Sequence, residues 1–215
     1  MGHGMLLAMS SWMRLMLGEV ETAPPPSGAL TPEQDRIRRA LTGAVTAHPL
    51  HRELVHIHQM GGCQYFAFAG ALVLDALGCG RAEVALGRVA FRTGRRRWIG
   101  YPAARADLRI PDPAQEREEA EAFQFHAWIR LTGPDGRRRS VDFDLSNVLR
   151  EARLNAPLEV PEFHRGTPAF WGTAAEARRA GLRFEARHTM TADALMPGDR
   201  KVFQAIADDA RARLS

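Results

Sequence analysis

The chain has 215 residues, 45% hydrophobic and 25% charged, a composition that indicates one globular domain with an appendage and excludes both two full domains and disorder over most of the length. Its 29 basic and 25 acidic residues give a net charge of +4, but Lys201 is the only lysine, and an arginine bias of this kind is not by itself a nucleic-acid signal. Two cysteines, Cys63 and Cys79, are too few for a disulfide scaffold or a four-cysteine zinc site, which points to a reducing, cytoplasmic setting.

In chain order, residues 1–20 are apolar and Met-rich, yet they lack a basic start and carry Arg14 mid-run, so no signal peptide is expected. Residues 23–28 (APPPSG) read as an extended linker, which makes 1–28 an N-terminal extension and 29–215 the domain. Thr31-Pro32-Glu33-Gln34 supplies an N-cap, a proline at the first helical position and a capping-box glutamine. Ile37, Leu41, Ala44 and Val45 then recur at helical spacing up to about Ala47. A short segment, 51–58, is apolar at Leu54, Val55 and Ile57. Gly61-Gly62-Cys63 opens an apolar run too long and too unalternating for a strand, which predicts a buried helix capped by Gly78 with Cys63 at its start. The run is too short to span a bilayer and contains Asp75, so no membrane partner is expected.

Residues 82–91 have strand texture, and 94–122 form a polar, proline-containing and acidic stretch expected at the surface. Residues 123–131 and 139–145 read as two strands around Gly133-Pro134-Asp135-Gly136, a hairpin signal. A proline-rich loop (151–170), a short helix (173–180), a strand (182–188) and a closing helix (201–214) complete an α+β domain with an antiparallel sheet.

Chemistry converges on three features. A thiol at a helix start meets unpaired N–H groups and the positive end of the helix dipole, which favour the thiolate and could also hold an oxyanion. Gln59 and Gln64 flank Cys63 and are candidate accessory donors. His126 can carry the proton while a carboxylate fixes its tautomer. Alternation puts His126, Trp128 and Arg130 on one strand face, with Asp142 and Asp144 on the matching face of the return strand. A loop centred on Pro134 sets His126 against Asp142, one centred on Asp135 sets it against Asp144, and alternation does not choose between them.

The succession GGCQYFAFAGALVLDALG, FHAWIRL and SVDFDLS resembles the transglutaminase-like branch of the papain-like superfamily, over about residues 59–146. There a Cys begins the central helix, a His opens a strand in a His-Ala-Trp run, and an Asp follows on the neighbouring strand. The resemblance implies a papain-like fold, a bacterial family of that superfamily, and Cys63 as nucleophile, His126 as base and Asp142 as orienting acid. The GGC turn and the Val141-Asp142 pair are also similar to arylamine N-acetyltransferases, although this chain is shorter and has Met60 where that family carries arginine.

The remaining candidates read as structural. With residues 63–77 helical, the two sulfurs stand about 20 Å apart, beyond disulfide reach. His51, His56 and His58 match no established ligand spacing, so no metal site is expected. His164 and His188 read as surface residues, and the arginine runs 95–97 and 137–139 as solvated charge, so nucleic acid is not an expected partner. Trp128 is a candidate cleft residue because it shares the His126 face, and Trp171 reads as packing. Together these readings predict a thiol-dependent hydrolase or acyltransferase acting on a peptide, amide or other acyl substrate without metal or organic cofactor. An inert binding module of the same fold, and an arginine-based nucleic-acid binder, are the rivals. Oligomeric state is not legible.

Overall fold

The computed structural model describes residues 30–50, 62–92, 98–101, 125–146, 148 and 169–215. The extension and linker, the 51–58 segment with Gln59, His164, and most of the stretches 94–122 and 151–168 lie outside the described residues. The first helix, α1 (Pro32–Ala47), starts as its sequence dictates: Thr31 Oγ1 accepts from the Gln34 amide and Gln34 Oε1 accepts from the Thr31 amide. It buries Ile37, Leu41, Ala44 and Val45 and stops at His48, one residue before Pro49.

Helix α2 (Gly62–Ala76) is apolar around most of its circumference because it lies between α1, the sheet and the last helix, α4 (Pro197–Ala212). Phe203 of α4 stacks on Phe68 at 5.0 Å and meets Tyr65 edge-on at 5.6 Å. The Arg36 guanidinium donates to the Leu214 carbonyl, tying the start of α1 to the chain's end. Gly70 is where α2 comes closest to its neighbours: a Cβ there would stand 2.8 Å from Ile129 Cδ1, 3.1 Å from Leu41 and 3.2 Å from Phe143. Beyond α2 the chain reverses through Gly78 at φ 68°, and the Asp75 carboxylate accepts from the Ala82 amide at 2.8 Å.

That reversal launches β1 (Arg81–Arg92), the hub of a six-stranded antiparallel sheet. One edge of β1 carries β6 (Leu182–Met190); the other carries β3 (His126–Thr132) along its first half and β2 (Trp98–Tyr101) along its second. The sheet continues through β4 (Arg138–Asp142) to β5 (Phe170–Gly172), which leads into α3 (Ala174–Arg179), capped by Thr173 and Glu176 as a second capping box. The domain is therefore α+β, with four helices among the described residues and no helix there long and apolar enough to cross a membrane.

Both faces of the sheet are covered around β1, β3, β4 and β5, while β6 is largely exposed. Val84, Ala127, Ile129, Leu131, Val141 and Phe143 face α1, α2 and α4, while Val89, Phe91, Phe170 and Leu182 join Leu145, Val148 and Ala177 in a second core on the other side. The sequence expectations need three corrections. Strands Trp98–Tyr101 and Phe170–Gly172 occupy segments read as surface excursion and loop, since strands this short carry little alternation and exist through pairing with β1 and β4. The return strand ends at Asp142 rather than 145, and its partner begins at His126 rather than 123. The last helix starts at Pro197, where proline supplies the dihedral of a first helical turn, rather than at Lys201.

Replacing Gly70 by valine forces bulk into a contact with no slack and is expected to lower unfolding free energy by about 1–3 kcal/mol. Urea unfolding followed by circular dichroism checks this; an unchanged midpoint would show that α2 does not sit this close to Ile129.

Candidate active site

His126 opens β3 opposite Gly87 of β1. Its even position puts it on the strand face shared with Trp128 and Asp142, while its place at the first residue of the strand keeps the ring within reach of Cys63 at the α2 start. That side is part of the second core rather than a solvated face, so the imidazole is 0% and the Asp142 carboxyl 1% exposed. His126 Nε2 and Asp142 Oδ2 are 2.7 Å apart, and the other carboxylate oxygen, Oδ1, accepts from the Asp144 amide at 2.9 Å. Both oxygens of a desolvated carboxylate are thus satisfied. Trp128 backs the imidazole at 6.1 Å between ring centroids and packs in turn on Phe184 at 5.4 Å.

The register behind this pair follows from the turn. Thr132 pairs with Arg138 and Ile129 with Val141, so the hairpin is centred on Asp135, held by Arg139 through a 2.5 Å ion pair and by the Arg137 amide. Continued three residues further, this register would set His126 against position 144. The ladder instead stops at Val141, and the ring reaches diagonally to Asp142, within the range open to a long side chain. The Asp144 amide folds back two residues onto Asp142, an Asx-type turn that ends the strand there. Asp144, itself buried, serves the arrangement through its backbone.

Cys63 is the second residue of α2, half-buried and free, beside a first turn without acidic residues. Gln64 follows it, also half-buried. Asp142 occupies Nε2 of His126, which leaves Nδ1 as the nitrogen available to the thiol. Nδ1 is buried and makes no hydrogen bond of normal geometry among the described residues. Burial by itself disfavours the imidazolium; the charge and hydrogen bond of Asp142 and the nearby Cys63 sulfur outweigh it and hold the His126 pKa well above its ordinary value.

The other candidates fall elsewhere. Trp128, at 1% exposure, lies behind the imidazole and is not an open cleft wall, because Phe184 and the second core cover it. Trp171 packs on Phe143 at 6.0 Å, and His188 is exposed on β6. Burial pushes the Cys79 thiol pKa up, with Glu33 adding to it, the opposite of activation. Arg88, near the end of the α2–sheet layer, was not singled out by the sequence: an isolated arginine in an apolar strand run is its only signal. No family model, curated protein or solved structure matches the chain.

Because the folded-state His126 pKa is raised, its contribution to stability is fully present below the unfolded value of about 6.5 and is lost as pH rises through the folded value. Urea resistance is therefore expected to fall as pH rises above about 6.5. Asp142→Asn should remove that slope and cost about 3 kcal/mol at the acid end. A flat wild-type profile, or an imidazole seen by NMR as neutral at about pH 6.5, contradicts the pairing.

Proposed function

We propose that the chain is a thiol-dependent hydrolase or acyltransferase with a papain-like, transglutaminase-like architecture, acting through Cys63, His126 and Asp142. The observation that carries this reading is the buried imidazole held by Asp142 through one nitrogen, with its other nitrogen left for a thiol at a helix N-terminus. A packing cysteine needs neither a desolvated imidazole beside it nor a carboxylate to keep that imidazole charged.

In this reading the Cys63 thiolate and the His126 imidazolium form the resting pair. The sulfur attacks a substrate carbonyl carbon, forming an S–C bond as the carbonyl electrons move onto oxygen. Amide groups at the α2 start stabilise that oxyanion. Collapse re-forms the carbonyl and breaks the bond to the leaving group, which departs with the proton from His126. The thioester is then attacked by water or an amine, His126 takes the proton, and an acid or a new amide leaves Cys63 free. Asp142 keeps the ring oriented and stabilises its charged form throughout. Each step uses only side chains and amides of this chain, with no cofactor.

Iodoacetamide, followed by peptide mapping, is expected to label Cys63 well ahead of Cys79. His126→Ala should slow Cys63 labelling about tenfold or more without altering Cys79, since the lost base belongs to Cys63 alone. Equal labelling of the two cysteines, or indifference of Cys63 to His126→Ala, would overturn the reading in favour of an inert binding module.

A further inference from the structure

Arg88 follows Gly87, the β1 residue that faces His126 across the ladder. By alternation it points to the opposite side of the sheet, the side on which α2 lies. The level of α2 along β1 can be placed from covalent dimensions. The helix is tied to the strand by the Asp75–Ala82 hydrogen bond, and from there the two run antiparallel. From Asp75 back to Cys63 is about 18 Å at 1.5 Å per residue. The same distance along a strand at about 3.3 Å per residue covers five to six residues from Ala82, ending at Gly87–Arg88. The thiol-bearing end of α2 and Arg88 therefore reach the same level of the sheet.

This level is also where the sheet forks. The partner edge of β1 passes from β3, whose last contact is His126 with Gly87, to β2, whose first is Tyr101 with Val89, leaving Arg88 between the two. The guanidinium leans over Gly100 of β2, where a Cβ would fall only 1.7 Å from Arg88 Nε and 2.2 Å from Cζ. The absence of a side chain at 100 is what makes room for it. Among the described residues, the buried Nε has no hydrogen-bond partner and Arg88 makes no ion pair. A buried guanidinium N–H without an acceptor is costly, and it leaves the half-buried Arg88 side chain with hydrogen-bonding capacity that an anion could fill.

We infer that Arg88 anchors a carboxylate on the acyl substrate, so that the enzyme prefers acyl donors carrying an anionic group several atoms from the reacting carbonyl. The inference rests on the proposed thiol chemistry and names the substrate class of that site. The lean of the side chain decides the distance. Gly100 pairs with Ala90, three residues beyond Gly87 along β1, about 10 Å from the His126 level. A guanidinium displaced that way meets a remote carboxylate, not the oxyanion, and arginine's fork suits a carboxylate bidentately. Arg88 is thus a specificity-determining residue that takes no part in the bond changes at sulfur.

A pair of maleimides tests this: 3-maleimidopropionate carries a carboxylate a few bonds from the carbon that thiols attack, and 3-maleimidopropionamide is its neutral counterpart. Rates are read for Cys63 by peptide mapping, in the full chain, with Cys79 as the internal reference. Wild type should react about tenfold faster with the carboxylate than with the amide, relative to Cys79. Arg88→Gln should lose that preference while keeping its rate with the amide, and Arg88→Lys should retain part of it. Gly100→Ala, which crowds the guanidinium without changing charge, should weaken the preference as well. Should Arg88→Gln fail to fold, as circular dichroism would show, the Lys and Gly100 variants carry the test. A Cys63 that reacts with both reagents equally, or keeps its preference in the Gln variant or unchanged in the Gly100 variant, overturns the anchor and leaves the nucleophile standing. A Cys63 inert to both reagents overturns the thiol reading and the anchor with it.

Discussion

A charged imidazole buried in a protein core is tolerated only where a carboxylate is held against it, and the His126–Asp142 pair meets that condition with both carboxylate oxygens occupied. Desolvation works against the imidazolium, and the nearby carboxylate reverses the outcome because low dielectric strengthens attraction as well as penalising charge. Everything around the pair supports its geometry. Trp128 and Phe184 exclude water from one side, the Asx turn through Asp144 fixes the carboxylate, and the Asp135-centred hairpin fixes the distance along the strands. Such a pair is a poor device for stability alone, since apolar residues of equal volume commonly do as well.

The proposed reading has a buried pair serve a thiol on another element. A sheet covered on both faces sequesters His126, yet the residue sits at the first position of β3, where β1 loses one partner strand and gains another. The close packing of α2 at Gly70, together with the short reversal through Gly78, sets how far the helix reaches along β1 and so where its N-terminus, with Cys63, stands. Two cations, the His126 ring and the Arg88 guanidinium, flank the fork on opposite faces of the sheet, near the positive end of a helix dipole.

Much of the fold was legible locally. Thr31 and Gln34, Thr173 and Glu176, the unalternating apolar run after Cys63 and the Gly133–Gly136 turn each specify an element through contacts within a few residues, and each element formed there. The strands Trp98–Tyr101 and Phe170–Gly172 were not legible, because a three- or four-residue strand has no period to detect and owes its existence to a partner distant in sequence. The same division runs through the candidate site. Side-chain alternation showed that His126 shares a face with Asp142 and Asp144 but could not choose between them. The hairpin register alone favours position 144, and only the early end of the ladder, with the Asp144 amide turned onto Asp142, sends the ring to the other carboxylate.

By itself, then, the sequence determined the starts of the first three helices, the tight turns, the α+β class and the set of thiol, imidazole and carboxylate side chains, all of which depend on short-range sterics, capping and periodicity. Tertiary structure alone decided which aspartate the imidazole takes, that Trp128 is a covered wall, and that Arg88 is left at the fork without an acceptor among the described residues. Those outcomes arise from strand register, from burial on both sides of the sheet and from the span of a helix laid antiparallel to a strand. Each is a relation between segments far apart in the chain, and no local pattern of residues encodes it.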